Sequence, residues 1–260
     1  MKVVLTIAGS DSSAGAGVQA DLKTFEAFGV FGTSVITVLT AQNTSGVSAI
    51  QSLSAEFVSA QIKAVIDDFD VAAIKIGMLY STDIIKAVRN ALSEYTIPLV
   101  LDPVFISKAG SPLLQEEAIE KMKELFDYAS VITPNLFEAK ALFGYQPDNA
   151  DSIESIQKLN IPVLVKNEVV ELPERKMSVD QLYVGHDKKT FESEYVDTTN
   201  LHGTGCSYSS AIAANLALGK TLEESINSAK KFITQALIHA PDIGHGPGPI
   251  NHKKGGENVT

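Results

Sequence analysis

The chain has 260 residues, 45% of them hydrophobic, and a formal net charge of −10 at pH 7, which allows one large α/β domain or two small ones. The acidic balance argues against nucleic acid as a primary partner, since phosphate backbones select basic surfaces, although a small anionic ligand needs only a local positive potential. No apolar run reaches the ~20 residues of a membrane span, so no membrane partner is expected, and the lone cysteine suits a reducing cytoplasm.

Short apolar runs alternate with longer amphipathic segments along the first two thirds of the chain. Residues 3–8 read as a buried strand and not as a signal peptide, because Asp11 follows closely and no small-residue cleavage site is present. Further strands are predicted at 33–39, 47–53, 72–76, 98–101, 130–133 and 162–165, and helices at 18–28, 56–69, 83–95, 116–126, 136–142 and 153–159.

The pattern changes after Lys166. Residues 167–200 are polar, with strand-like pieces at 181–184 and 190–195 that predict an antiparallel hairpin at one sheet edge. Helices at 205–218 and 222–239 follow, and the Gly- and Pro-rich segment 244–260 is expected to be a partly mobile tail. The strand–helix alternation predicts a single α/β domain over 1–260, with a mostly parallel sheet covered by helices on both faces.

Polar or special residues follow several of the predicted strands. In sheets of this kind, ligands bind beyond the carboxyl ends of the strands, so these residues are expected to share one rim. They are Gly9, Ser10, Asp11, Gln42, Asn43, Gly77, Met78, Asp102, Asn135, Glu138 and Lys166. Together they suit phosphate and metal chemistry.

The lone cysteine, Cys206, follows the turn Gly203-Thr204-Gly205 at the start of a predicted helix. Backbone N–H groups at the positive end of a helix form an anion site. The same position is expected to lower the pKa of the Cys206 thiol. The alternative is a buried structural cysteine behind an ordinary turn.

Other candidates keep two interpretations each. The Gly-rich loop at 9–17 fits neither the dinucleotide spacing nor a P-loop, and it is either a close backbone approach to a ligand or a flexible turn. Asp102, Asn135 and Glu138 could hold Mg²⁺ directly or through water, although Asn135 and Glu138 also fit helix capping. Lys166 could neutralise a nucleotide phosphate or be a solvated lysine. The histidines show no zinc-ligand spacing.

Eight segments carry a family resemblance when they are taken in chain order. They are residues 7–11, 14–24, 40–44, 75–79, 101–104, 133–139, 202–206 and 244–247. Together they resemble the ribokinase superfamily and, within it, the bacterial hydroxymethylpyrimidine and hydroxymethylpyrimidine phosphate kinases of thiamine synthesis. The resemblance spans most of the chain, and so many motifs in the right order make it specific.

The resemblance implies a ribokinase-like fold, a homodimer, and ATP- and Mg²⁺-dependent phosphorylation of 4-amino-5-hydroxymethyl-2-methylpyrimidine and then of its monophosphate. It implies a pyrimidine pocket, an anion hole, an ATP site and a Mg²⁺ site. The pyrimidine pocket would consist of Gly9, Asp21, Gln42, Met78 and Val104, and the anion hole of Gly203, Thr204, Gly205 and Cys206, with Cys206 as the catalytic base. Lys166 and Asn135 would bind ATP, and Asp102 and Glu138 would bind Mg²⁺.

One segment departs from the family pattern. Relatives usually show Lys-Gly-Gly-His where this chain has Lys166-Asn167-Glu168-Val169, which affects the loop on the nucleotide side. A pyridoxal kinase on the same scaffold is an alternative, because it phosphorylates a hydroxymethyl group on a similar ring. A non-catalytic pyrimidine-binding protein is a further alternative, which the altered loop alone supports.

Overall fold

The computed structural model of the chain describes residues 1–105, 116–147 and 149–257. Within them, one sheet has the strand order β3-β2-β1-β4-β5-β6-β7-β8-β9. The strands are β1 (Val3–Asp11), β2 (Phe31–Asn43), β3 (Gly46–Ser52), β4 (Val71–Ile76), β5 (Leu99–Leu101), β6 (Val131–Ile132), β7 (Val163–Glu171), β8 (Lys176–Val184) and β9 (Asp187–Glu194). The run from β2 to β7 is parallel, while β3, β8 and β9 pair antiparallel.

Helices cover both faces of this sheet, as the sequence predicted. They are α1 (Gly17–Ala27), α2 (Ala55–Ile66), α3 (Thr82–Leu92), α4 (Glu116–Met122), α5 (Leu136–Phe143), α6 (Ala150–Gln157), α7 (Thr204–Ala217), α8 (Leu222–Ile238) and α9 (His252–Gly256). One buried cluster lies under α2, α3 and α4, and a second lies under α1, α7 and α8. The central strands contribute apolar side chains to both clusters, and their nearly continuous apolar sequence reflects this burial on two faces.

Three predicted elements differ from the observed ones. Antiparallel strands lie at both edges of the sheet, not at one, because β3 pairs with β2. The helix predicted at 116–126 ends at Met122 and continues as a 3₁₀ segment, Lys123–Tyr128. Strand β7 continues past Lys166 through an irregular register between Val165 and Glu168, where it pairs with β8.

Much of the segment expected to be a mobile tail packs against the body of the protein. Pro249 bridges to His202, Ile250 is buried, and α9 lies against α1 and α8. His252 is buried, with Nε2 2.8 Å from the Ser207 hydroxyl oxygen on α7. This burial lowers the pKa of His252 to about 4. Residues 258–260 lie outside the described residues. Among the described helices, none combines the length and the apolar character that crossing a membrane requires.

Candidate active site

A cavity of about 320 Å³ opens at the carboxyl ends of the parallel strands. All the predicted site residues except Asp21 and Thr204 line it. These are Gly9, Gln42, Met78, Asp102, Val104, Asn135, Glu138, Lys166, Gly203, Gly205 and Cys206. These residues are distant in sequence but close in space, because the parallel strands end at the same edge of the sheet. Whether each residue takes its expected role stays a prediction.

The N-terminus of α7 forms one wall of this cavity. Gly203 is the N-cap residue, with φ of +83° in the left-handed region that glycine tolerates best. A Cβ atom at Gly203 would lie 1.8 Å from the carbonyl oxygen of Gly15. The loop between β1 and α1 can therefore lie directly on the first turn of α7 only because residue 203 has no side chain.

Thr204 faces away from this cavity. Its hydroxyl donates to the Leu201 carbonyl at 2.7 Å, and the residue lines a second cavity of about 230 Å³ between α7, α8 and the antiparallel strands. Gly203, Gly205 and Cys206 thus present the helix N-terminus to the first cavity, while Thr204 belongs to the second. Asn167 lines both cavities, so the two cavities are neighbours at this residue.

The environment of Cys206 differs from the expectation. Burial raises the pKa of its thiol to about 11, although the Lys75 ammonium and a hydrogen bond from the Gly17 N–H oppose the shift. The predicted lowering of this pKa is therefore wrong for the protein without ligands, because desolvation outweighs the helix dipole. The thiol is therefore protonated at neutral pH.

Asp21 does not line the cavity, contrary to its predicted contact with the pyrimidine. Its side chain is fully buried and accepts hydrogen bonds from Lys75, Thr6 and Ser210. The Lys75 ammonium lies 2.9 Å from each carboxylate oxygen of Asp21. A carboxylate committed to four hydrogen bonds in the interior has a structural partner already, so it is not positioned to receive a ring amino group.

Lys166 is not the solvated lysine that its sequence position allowed. It is 2% exposed and its ammonium lies 2.6 Å from Oδ1 of Asp102. Burial works against its charge, but Asp102 and Glu138 together raise the pKa of Lys166 above its ordinary value. Ser209 donates to the other Asp102 oxygen at 3.1 Å. Lys166 is therefore a buried ammonium group, paired with a carboxylate, at the edge of the cavity.

Asn135 and Glu138 form the capping box that the sequence allowed. The Asn135 side chain accepts from the Glu138 N–H at 2.9 Å, and Glu138 accepts from the Asn135 N–H at 2.8 Å. Burial raises the pKa of Glu138 to about 7; Lys166 opposes this shift, and the charge of Asp102 adds to it. Both residues also line the cavity, so capping does not exclude a ligand-facing role.

The donor set at this end of the cavity fits a hydrated Mg²⁺ ion. Magnesium prefers oxygen ligands and keeps several of its waters, and the carboxylates of Asp102 and Glu138 face the same space. A dication would offset the charge of Asp102, which adds to the burial that raises the pKa of Glu138. Among residues 1–105, 116–147 and 149–257, no group of three or more His, Cys, Asp or Glu side chains is arranged as a metal site.

Another part of the cavity lining is apolar. Met78 and Val104 line it, and a Cβ atom at Gly9 would come within 2.9 Å of Val38 and 3.2 Å of the Met78 sulfur. The Gln42 side-chain oxygen accepts from the Thr40 hydroxyl at 3.1 Å. Gln42 is thus held at the rim, where an amide offers both a donor and an acceptor to a ring.

The sequence analysis assigned no specific site role to several residues that line the cavity, although it placed Asp11 at the rim. Asp11 and His202 meet at 2.7 Å, between Oδ2 and Nε2, and join the β1–α1 loop to the start of α7. Burial opposes the ionisation of Asp11, but hydrogen bonds from His202, Ser13 and Ala16 lower its pKa to about 2. Lys75 also lines the cavity. The position of Lys75 inside an apolar strand could have indicated a buried ion pair from the sequence, because a buried lysine requires a partner.

Asn167 explains the departure at the Lys166 motif. Its φ is +68°, in the left-handed region where glycine is most common and asparagine is the usual substitute. Its N–H donates to Asp180 at 2.9 Å. Asparagine therefore keeps the backbone conformation that the Gly of the family pattern allows.

Comparisons with known proteins agree with this geometry. A family model described as phosphomethylpyrimidine kinase matches residues 11–251. The chain belongs to that family. A hydroxymethylpyrimidine/phosphomethylpyrimidine kinase of Haemophilus influenzae is 43% identical over 260 residues, which cover 97% of each chain.

Two solved structures confirm the fold expected from the family resemblance. A phosphomethylpyrimidine kinase of Clostridium difficile superposes with a TM-score of 0.75 and 41% identity, covering 91% of this chain and all of the other. Bacillus subtilis pyridoxal kinase in an ADP complex superposes with a TM-score of 0.85 and 35% identity over 98% of both chains. The chain therefore has the ribokinase-like fold of these vitamin kinases.

Proposed function

We propose that this kinase transfers the γ-phosphoryl group of ATP to the hydroxymethyl group of 4-amino-5-hydroxymethyl-2-methylpyrimidine, and then phosphorylates the monophosphate. The observation that carries this proposal is the similarity over nearly the full length to an enzyme named for both activities. The cavity supports it, because the residues expected to bind the pyrimidine and the phosphoryl group line one space.

The pyrimidine would lie at the apolar end of the first cavity. Met78 and Val104 would contact the ring, and the Gln42 amide would pair with its polar edge. The hydroxymethyl group would then point toward Cys206 and the N-terminus of α7. This arrangement assigns no contact to Asp21, whose oxygens are occupied in the interior.

ATP would place its phosphates at the N-terminus of α7 and its nucleoside in the second cavity. Gly203 and Gly205 offer close backbone approach there, and Lys166 supplies a buried positive charge. The second cavity continues from Asn167 past Thr204 toward α8, so one nucleotide could span both spaces. Use of ATP by the family fits the ADP complex of the B. subtilis relative.

Mg²⁺ would be held near Asp102 and Glu138, partly through water, and when bound it would neutralise phosphate charge. Phosphoryl transfer depends mainly on positioning and on charge neutralisation. Cys206 would accept the proton of the substrate hydroxyl while that oxygen bonds to the γ-phosphorus and the bond to ADP breaks. Because the thiol is protonated at neutral pH without ligands, this role depends on the cations around it.

Steady-state turnover with Mg-ATP tests the proposal. We expect phosphorylation of the hydroxymethylpyrimidine, with mass spectrometry showing the monophosphate first and the diphosphate later. Absence of both products would refute the proposal. Tight binding of the pyrimidine in calorimetry without ADP formation would instead support a non-catalytic binding protein.

Pyridoxal phosphorylation is the second candidate, since the B. subtilis relative of 35% identity is a pyridoxal kinase. Both substrates present a hydroxymethyl group on a six-membered ring. The two candidates are separated by kcat/KM for each alcohol under the same conditions. We expect a higher value for the pyrimidine, and a large preference for pyridoxal would overturn the assignment. Dimerisation and a cytoplasmic location stay predictions.

A further inference from the structure

A buried cluster beneath the first cavity joins four elements of the fold. Asp21 on α1 accepts hydrogen bonds from Thr6 on β1, Lys75 on β4 and Ser210 on α7, at 2.6 to 2.9 Å. Asp21 and Lys75 are both fully buried. Among the cluster members, Lys75 is the one that also lines the cavity.

The helix spacing places this cluster directly under Cys206. Cys206 and Ser210 are four residues apart on α7, and Gly17 and Asp21 are four apart on α1, so each pair shares a helix face. Gly17 and Cys206 both line the first cavity, and Ser210 donates to Asp21 one turn further along each helix. Lys75, bound to Asp21, therefore lies close to the sulfur.

Lys75 has one N–H donor that Asp21 does not engage. An ammonium group carries three N–H donors, and two of them are engaged by the two oxygens of Asp21. The Lys75 ammonium also lies against Gly77, where an added Cβ atom would come within 2.8 Å of its nitrogen. The third donor is thus available to the cavity side, where Cys206 lies.

We infer that Lys75 is a positioning residue for the proposed reaction, whose buried ammonium group faces Cys206 and stabilises the thiolate. This inference rests on the proposed function for its catalytic meaning. The charged groups that act on the sulfur are Lys75 from β4, Asp21 from α1, Asp102 after β5 and Lys166 from β7. Lys75 favours the thiolate, while the two carboxylates disfavour it.

Alkylation of the lone cysteine by iodoacetamide tests this inference without ATP or pyrimidine. The thiolate displaces iodide from the neutral reagent, so the rate follows the thiolate fraction. Because the chain contains one cysteine, mass spectrometry of the digested protein follows alkylation of Cys206 in a single peptide. The rate is measured from pH 7 to 11 for the wild type, Lys75→Met and Asp21→Asn, with Ser210→Ala as the control that breaks one hydrogen bond and changes no charge.

The two charge variants should move in opposite directions. At pH 8, Lys75→Met should react about tenfold more slowly, which corresponds to one pKa unit, and Asp21→Asn about tenfold faster. Ser210→Ala should stay within about threefold of the wild type. If the cluster only packed the fold, both charge variants would expose the thiol and react faster. Lys75→Met reacting as fast as the wild type, or faster, overturns the inference.

A second comparison covers the case in which Lys75→Met fails to fold with Asp21 left unpaired. Asp21→Asn combined with Lys75→Gln carries no formal charge at either position, and it should react more slowly than Asp21→Asn alone. Equal rates would overturn the inference. In turnover assays, loss of the lysine should lower kcat with KM within about threefold. A wild type that lacks kinase activity would refute the proposed function and leave the alkylation result standing.

Discussion

Replacing Gly203 by alanine should disable the site by displacing the loop that lies on α7. In the structure, the added Cβ atom would be 1.8 Å from the Gly15 carbonyl oxygen, whereas ordinary contact begins at 3.4 Å. The Gly15 carbonyl and residue 203 must therefore move apart by about 1.6 Å, and the alanine must also adopt a φ of +83°. The strain costs ~1–2 kcal/mol and overpacking adds ~1–3 kcal/mol.

The displacement should reach the reacting groups. The moving loop contains Gly15 and leads into Gly17, which lines the cavity together with Cys206. A misplacement of about 1 Å in an active site can cost about 100-fold in rate. We therefore expect Gly203→Ala to lose ~2–5 kcal/mol of unfolding free energy and about 100-fold in kcat/KM. Urea denaturation and coupled ADP assays measure the two effects.

Gly205→Ala is the matched control in the same turn. Its Cβ atom would lie 3.6 Å from the Lys166 nitrogen, an ordinary contact, and alanine is favoured over glycine within a helix by ~1 kcal/mol. Its unfolding free energy should be unchanged or higher, although a side chain here can still reduce turnover by narrowing the anion site. Equal stability of Gly203→Ala and the wild type would refute the steric reasoning.

Four further predictions concern other parts of the site and the C-terminal segment. Lys166→Met should lose about 3–5 kcal/mol of unfolding free energy because it leaves Asp102 buried and unpaired, and adding Asp102→Asn should restore most of it in the same urea titration; no recovery would contradict the pairing. Gln42→Ala should weaken pyrimidine binding by ~1–3 kcal/mol in calorimetry, and an unchanged Kd would remove Gln42 from the pocket. Cys206→Ala should reduce kcat far more than substrate affinity, whereas unchanged turnover would eliminate the cysteine as the base. The pKa of His252 is about 4 in the folded protein and 6.5 in its ordinary state, so between these pH values only the unfolded chain takes up the proton. Protonation of His252 should therefore lower the unfolding free energy of the wild type by about 3 kcal/mol as pH drops from 6.5 to 4. His252→Gln should lack this part of the dependence of unfolding free energy on pH, and an identical dependence in both proteins would refute the prediction.

The elements of the central sheet were predictable because each has a local signature. Apolar runs such as 3–8 and 72–76 are long enough to be buried strands, and the caps of α5 and α8 are visible as Asn or Thr followed three residues later by Glu. The course of β7 was not predictable. Its continuation past Lys166 depends on pairing with β8 and on the bond from the Asn167 N–H to Asp180, both of which are long-range.

The packing of the C-terminal segment was also hidden from local reasoning. Glycine and proline at 244–249 suggest a mobile tail, but Thr44 accepts from the N–H groups of His245 and Gly246, and Asn200 accepts from that of Gly248. These partners are far away in sequence. Composition indicates how flexible a segment is in isolation, whereas hydrogen bonds to distant residues decide whether the segment is ordered in the folded protein.

By itself, the sequence determined the α/β architecture, the family and a set of candidate site residues of which all but Asp21 and Thr204 line the cavity, because hydrophobic periodicity and ordered motifs are local properties. Only the tertiary structure decided their electrostatic state. It placed Asp21 in an internal pair with Lys75, buried Lys166 against Asp102, and raised the pKa of the Cys206 thiol to about 11. The physical reason is that desolvation and charge pairing depend on which groups surround an atom in space, and those groups come from distant parts of the chain.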